Sequence, residues 1–408
     1  MSAEPLVFDP SDPTYIADPY PTYRRLRNEA PVYWWDQGHM WLLSRYADIE
    51  ATFKDPRFSV DVREWRLYDA ERRGVLPPEM IEFYENGLFQ VGHKGHARLR
   101  KLVAPAFTPR GAARREQLVQ QVVDELLADV DPQERFDLLP GLAEHVPIRV
   151  ISRTLGVPAE LEEPFREWSE VLVKTTFPIL PPDEYAAVAA RFPSGYRLVE
   201  QMVEERRAAP GDDLLSELIA VQEQGDRLSS IELVSLVGGL ITAGAETTVH
   251  LQAFAVLELL RHPDVLARIL DDFERLPGAI EEVLRHDNFS AIGVPRYALE
   301  PVELRGQAIA QGDMVMLLVG SSMHDEEIWP DAERFDIDRD PVVNLSFGRG
   351  AHFCLGAHLA RLEARVVLRT LLERFPRMSL AGEPTFDPHP FIRRIKSLPL
   401  WLQPRADS

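Results

Sequence analysis

A chain of 408 residues with 45% hydrophobic side chains can bury a large core, and no Gly/Ser linker or break in composition divides it. Its formal net charge of −20 argues against nucleic acid as a partner, and its single cysteine excludes an internal disulfide and fits a reducing compartment. The start, Met1 to Pro21, is acidic and proline-rich without the apolar core of an export signal. No eighteen consecutive residues are apolar either, so neither a leader nor a membrane anchor is expected.

Asp18-Pro19-Tyr20-Pro21 opens a short helix over 22–29, since Pro suits the first turn of a helix. The β-rich runs 31–34 and 40–43 flank Asp36-Gln37-Gly38, the spacing of a hairpin. Residues 46–54 then read as a helix that ends at Asp55-Pro56. From 59 to 91, aromatic and charged residues mix without strong periodicity; this stretch is either a mobile functional loop or several short helices.

His96 and Arg100 follow, four apart and so on one helical face, where two donors can bind one anionic oxygen group. Paired with His93, His96 makes a poor metal site, because no third ligand is near in sequence. Stretches 116–130, 142–155 and 160–173 have helical apolar spacing; Pro178 to Pro182 breaks the pattern and 185–205 resumes it.

The longest helical stretch is 231–260, after Ser229 and Ser230 as caps. In its middle stands Ala243-Gly244-Ala245-Glu246-Thr247-Thr248, although Gly and Thr both weaken a helix. The Thr247 hydroxyl is placed to bond back to the Ala243 carbonyl and to bend or widen the turn, as helices often do at functional sites. A helix over 277–286 carries Glu282 and Arg285, three apart and able to pair. Val294-Pro295-Arg296 then precedes strand-like 302–304 and 314–319.

The only cysteine lies in Phe347-Gly348-Arg349-Gly350-Ala351-His352-Phe353-Cys354-Leu355-Gly356, directly before an apolar-periodic helix marked by Leu359, Leu362, Val366, Val367 and Leu371. Unpaired N–H groups at a helix entrance favour thiolate over thiol. Gly350 and Gly356 let the backbone turn tightly and approach something flat. One thiolate on a soft or borderline metal leaves the other coordination positions to a cofactor.

The pattern Phe347-x-x-Gly350-x-x-x-Cys354-x-Gly356, with His352 two residues before the Cys, resembles the haem-ligand loop of the cytochrome P450 family. The likeness extends in order through His96, Thr247 and Glu282 and covers nearly the whole chain. It implies a mainly α fold with small β-sheets (α+β), a single domain over 1–408, with haem b between the long central helix and the Cys-loop helix. Cys354 would be the axial thiolate and sole protein ligand of the iron. His96, Arg100, Arg296 and His352 would hold the propionates, and Phe347, Gly350 and Gly356 would shape the loop. Ala243 and Gly244 would form the turn where dioxygen sits. Thr247 would organise the proton chain that splits the O–O bond, with Glu246 linking it to solvent.

By the same resemblance, Glu282 and Arg285 are structural and are completed by a later arginine, here matched to Arg334. The segments 59–91 and 172–195 would cover the substrate pocket, and Phe177, Ile179, Leu180, 291–294, Phe391 and Ile392 would line it. Arg393 and Arg394 interrupt this apolar lining; the alternatives are pairing with a polar substrate group and exposure to solvent, and the second is expected. One departure stands out: the family usually has Asp-Pro-Pro-Glu before the His, whereas this chain has Gly92-His93-Lys94-Gly95, so the loop feeding the pocket is set differently.

The implied activity is that of a cytoplasmic, bacterial-type monooxygenase of secondary metabolism. It would insert one atom of dioxygen into an apolar small molecule by hydroxylation or epoxidation. Electrons would come from a separate ferredoxin and ferredoxin reductase, or a flavodoxin-type donor, docking near Arg98, Lys101, Arg349 and Arg361. The rival readings are a haem-thiolate peroxygenase or isomerase that needs no reductase, and a non-enzymatic haem sensor; retention of both Glu246 and Thr247 counts against the first. Gly348-Arg349-Gly350 begins a dinucleotide fingerprint, but Phe353 occupies its third glycine position, and no Walker-type loop or Gly-x-Ser-x-Gly elbow is present. The substrate is not named by these residues.

Overall fold

Ser229 starts the longest element of the computed structural model, which describes residues 6–404 except 74, 176–181, 224–227, 289–292, 341 and 388–392. Its hydroxyl accepts the Glu232 N–H at 3.2 Å while the Glu232 carboxylate accepts the Ser229 N–H at 2.8 Å. This capping box satisfies two donors at the start of the 32-residue helix Ser230–Arg261. The helix is long and apolar enough to cross a membrane by length and composition, but 78% of its most apolar stretch is buried inside the protein, as in a core helix. Around it pack Val146–Leu155, Glu162–Thr175 and Ala357–Arg374, and together they bury the main hydrophobic core. The fold is mainly α with small sheets.

The largest sheet has five strands: β1 (Val32–Trp35), β2 (Met40–Leu43), β3 (Phe58–Ser59), β4 (Val294–Ala298) and β5 (Met314–Leu317). Their order is β1-β2-β5-β4-β3. The expected hairpin is present, with Val32 opposite Leu43, and β2 then pairs in parallel with β5, Met40 opposite Met314. All four residues of β5 are buried, which suits a strand covered on both faces. Antiparallel pairing of β4 with β5 sets Arg296 opposite Val315 and so fixes where that arginine emerges. A second sheet joins Arg135–Asp137, Pro399–Trp401 and Ser379–Leu380, and a two-stranded ribbon joins Thr385–Asp387 to Arg394–Ser397.

Several boundaries differ from those read in sequence. The stretch after Ser59 is a set of short helical pieces, Val62–Glu64, Asp69–Arg73 and Pro78–Glu85. The expected helix 116–130 stops at Leu126, short of Pro132, and 142–155 divides between the end of a π-helix, Leu139–Ala143, and an α-helix from Val146. Stretch 185–205 is two helices, Pro182–Ala189 and Phe192–Ala208. Pro193 forces that break, because it lacks an N–H and its ring would meet the carbonyl of Ala189. Helices Leu214–Glu223 and Pro263–Asp271 were not anticipated.

Arg285 is fully buried and spends its donors on five acceptors. It forms a two-pronged pair with Glu282 at 2.8 Å and 2.8 Å and reaches the carbonyls of Met323, Ala332 and Arg334. The completing arginine is Arg339, whose Nε lies 3.4 Å from Glu282. Arg334 is therefore corrected: its side chain is 70% exposed and points to Asp336, and only its backbone carbonyl joins the cluster. The expectation of solvent-facing arginines near the C-terminus also fails. Arg393 is buried, paired with Asp287 and packed over the Phe254 and Phe386 rings, and Arg394 is half-buried.

Candidate active site

The Cys loop is shaped by two left-handed glycines, Gly348 at φ +68° and Gly350 at φ +71°. A side chain at either position would be strained. The Cys354 N–H donates to the Phe347 carbonyl at 2.8 Å, closing the loop, and the Arg361 guanidinium covers the Phe347 ring at 4.4 Å. Gly356 then precedes helix Ala357–Arg374. The Cys354 thiol is pushed up by burial, against which work the N–H groups of Gly356 and Ala357 and the charges of Arg100 and Arg361. The N–H groups of the helix entrance thus favour thiolate, as expected, and burial outweighs them.

Cys354 lines a cavity of about 440 Å³ between the Cys loop and the central helix. The same cavity is lined by His96, Arg100, Ala243, Gly244, Thr247, Arg296, Phe347, His352 and Gly356. Among the described residues, ten of the twelve expected site residues therefore meet at one space. The two that do not line it are Gly350, which backs onto the Phe53 carbonyl, and Glu246. Thr247 donates to the Ala243 carbonyl at 2.9 Å, as its spacing implied. The helix nevertheless continues through this turn as regular α-helix, so the expected widening is absent.

One end of the cavity is cationic. His96 and His352 are in contact, tilted, with ring centroids 3.8 Å apart, and burial pushes them down to about 4 and about 3, so both are neutral near pH 7. Burial also pushes Arg296 down to about 10. Its guanidinium lies over the Phe53 ring and donates to the Pro295 carbonyl, and Arg100 donates to the Phe353 carbonyl at 2.7 Å. Among the described residues no carboxylate lies within ion-pair distance of Arg100 or Arg296, and His352 Nε2 is buried without a hydrogen-bond partner. Buried donors in this condition call for an anionic group.

At Gly356 an added Cβ would meet nothing within 4 Å, so the loop backbone is open toward the cavity. A flat macrocycle with two carboxylates, lying on the Cys loop, fits this donor set. Haem would be held by Cys354 at the iron and by His96, Arg100, Arg296 and His352 at its acidic edge.

Val294, Leu88 and Phe89 line the cavity as expected, whereas Gly293, at φ +84°, packs against the Leu317 carbonyl. Phe177, Ile179, Leu180, Ala291, Ile292, Phe391 and Ile392 lie outside the described residues. Sequence reasoning missed Thr248, Asn288 and Glu363 in the lining. Glu363 is buried, and burial pushes its carboxyl up to about 8. Its spacing of three and four from Ala360 and Leu359, which share the cavity wall, is the signal that could have found it. Of the four cations expected to form a basic patch, Arg98 pairs with Glu232, Arg361 with Glu281, and Arg349 lies 3.6 Å from Glu50. Among the described residues, Lys101 has no such partner and is exposed.

The family model for cytochrome P450 matches residues 81–396. The chain belongs to the cytochrome P450 family. It resembles the epothilone C/D epoxidase of Sorangium cellulosum, at 40% identity over 401 residues, covering 97% of this chain and 95% of that protein. Likeness to the cytochrome P450 monooxygenase PikC of Streptomyces venezuelae is also 40% over 401 residues, covering 96% and 93%. The crystal structure of epothilone D-bound cytochrome P450epoK superposes with a TM-score of 0.92 at 39% identity, over 98% of this chain and 100% of that one. This P450 is a monooxygenase whose family uses a haem-thiolate iron centre.

Proposed function

We propose that this P450 is one domain over residues 1–408 that binds haem b through Cys354 and acts in the cytoplasm on an apolar product of secondary metabolism. The observation that carries the reading is that Cys354 and Thr247, from opposite walls, line the same largely apolar cavity. Bound haem supplies the iron at which dioxygen is activated for transfer of one oxygen atom to the substrate. Ala243 and Gly244 leave room beside Thr247, whose hydroxyl gives its proton to the Ala243 carbonyl and keeps its lone pairs for a hydrogen-bond donor in the cavity. Thr247 organises the proton chain and Glu246 feeds it. Leu88, Phe89, Ile151, Leu240 and Val294 hold the substrate and exclude water.

Given 40% identity to an epothilone epoxidase, epothilone-like compounds are the first substrates to try, with epoxidation or hydroxylation as the outcome. Electrons come from a ferredoxin and its reductase, or a flavodoxin-type donor, with Lys101 as the unpaired cation of the docking face. The test is the absorption spectrum of the dithionite-reduced protein with carbon monoxide, for wild type and Cys354→Ser. A red-shifted Soret band, lost in the variant, supports the thiolate reading; a band at the imidazole-ligated position in wild type would overturn it.

A further inference from the structure

Three consecutive carbonyls of the irregular segment 330–340 turn toward two consecutive basic side chains. Arg285 donates to the Ala332 and Arg334 carbonyls at 2.8 Å and 3.1 Å, and between them the Glu333 carbonyl lies 3.1 Å from His286 Nε2. Each side chain has a buried carboxylate beside it, Glu282 for Arg285 and Glu258 for His286. The arginine half keeps its charge at any ordinary pH, whereas the histidine half titrates.

A carbonyl only accepts, so His286 Nε2 carries a proton. Nδ1 lies 2.9 Å from Glu258 Oε2, where a bare nitrogen would set its lone pair against a carboxylate oxygen. Both nitrogens are therefore protonated. The Nδ1–H is not aligned on that oxygen, so the contact is chiefly charge against charge. A proton on Glu258 instead is opposed by Arg261, whose Nη1 lies 3.4 Å from Oε1. His262 donates to the Glu258 backbone carbonyl at 2.9 Å and stacks on Phe335, which also meets the His286 ring edge-on. The His324 ring stands 5.6 Å from that of His286, donates to the His286 carbonyl and has Tyr20 packed on it. The Glu333 carboxylate is held by Arg24 at 2.7 Å, and Asp287 pairs with Arg393. Among the described residues, Glu258 is the carboxylate within ion-pair distance of His286.

We infer that His286 and Glu258 form a pH-sensitive latch, which ties segment 330–340 to the end of the central helix while the imidazole is charged. When Nδ1 gives its proton to a base in solution, Glu258 stays a carboxylate and the two groups repel. Neutral His286 keeps its bond to the Glu333 carbonyl, so the ring parts from Glu258 and the segment loosens from the central helix. Phe335, packed against both His262 and His286, passes that movement to the stretch that leads into the Cys loop. Burial works against the charged ring and the contact with Glu258 outweighs it, so His286 titrates above the ordinary histidine value. The latch is complete below pH 6.5 and is lost as pH rises through that raised value.

The experiment uses the reduced, carbon monoxide-bound holoenzyme, as wild type and as the variants His286→Gln and Glu258→Gln. One readout is the pH titration of the histidine Cε1–H resonances in nuclear magnetic resonance. That of His286 is the one lost in H286Q and displaced in E258Q, and E258Q alone identifies it where H286Q does not fold. The other readout is hydrogen exchange of peptides covering 330–340, corrected for the intrinsic pH dependence of exchange. In wild type the His286 resonance should keep its charged position above pH 6.5, and protection of 330–340 should fall about tenfold as it titrates. E258Q should lower that midpoint by about 1 pH unit or more and move the loss of protection with it, and H286Q should lack the step. A wild-type protein in which no histidine stays charged above pH 6.5 overturns the inference without any variant. Protection that stays level across the His286 titration also overturns it, since the charged ring would then have no hold on the segment.

Discussion

The imidazoles of His96 and His352 lie against each other, 3.8 Å between centroids and tilted by 36°, although one stands on helix His93–Val103 and the other in the Cys loop. Burial leads in holding both below the ordinary histidine value, followed for His96 by Arg100 and for His352 by His96 and Arg296. Both stay neutral in the folded chain while they would protonate near pH 6.5 in the unfolded one. The unfolded state therefore binds more protons below pH 6.5, and stability is lost as pH falls from there toward about 4. Denaturant unfolding of the haem-free protein between pH 7 and pH 4.5 should show a falling midpoint, and His352→Gln should flatten that slope. An equal slope in the variant would show that the pair does not carry it.

A second expectation concerns the buried cluster at Arg285. Glu282→Gln leaves a buried guanidinium without its counter-charge, a loss of about 3–5 kcal/mol. Arg339→Ala removes one longer contact to the same carboxylate and the hydrogen bonds to the Pro330, Asp331 and Arg334 carbonyls, and Arg334→Ala removes a side chain that is mostly in solvent. Thermal melts should rank the losses E282Q, then R339A, then R334A, the last within about 0.5 kcal/mol of wild type. A large loss in R334A alone would reverse the assignment made from the geometry.

The contrast between those two arginines marks the limit of reading the sequence. Glu282 and Arg285 were legible because spacing on one helix decides whether they meet. Which arginine arrives from an irregular segment depends on backbone turns with no period, and Arg334 and Arg339 both lie in such a segment. The same division runs through the site. Cys354, His96, Thr247 and the glycines of the loop stand at fixed offsets inside continuous motifs and were found. Asn288 and Glu363 reach the cavity only through tertiary packing and were missed. Arg393 and Arg394 were misjudged because charge suggests solvent, while Asp287 and Glu246, distant in sequence, supply buried partners.

Two glycines with similar dihedral angles should respond differently to substitution. Gly293 has φ +84° and an added Cβ would fall 1.8 Å from the Leu317 carbonyl oxygen. Gly306 has φ +76° and nothing within 4 Å. Gly306→Ala should cost only the left-handed backbone strain, about 1 kcal/mol, whereas Gly293→Ala should cost more than about 3 kcal/mol by forcing β4 away from β5. Chemical denaturation of the two variants measures the difference. Equal losses would mean that the carbonyl contact is relieved by local movement.

Thr247→Ala removes a hydroxyl that the helix does not need for its own hydrogen bonding, so the variant should fold and bind substrate with an unaltered spin-state shift. Product formation should drop roughly 10²-fold, the range typical of a lost proton-transfer group, while electron consumption continues and reduced oxygen appears instead. Comparing product with NADPH consumed tests this. A variant that keeps wild-type coupling would remove Thr247 from the proton chain.

The parallel pairing of β2 with β5 also bears on how the chain is made. Met40–Leu43 cannot complete its ladder until Met314–Leu317 has been synthesised, an interval on the order of tens of seconds at the ribosome. A hairpin alone is marginal in water, so for that time β1 and β2 present an apolar, half-paired edge to the cell. The N-terminal hairpin thus waits for most of the chain before its sheet can close.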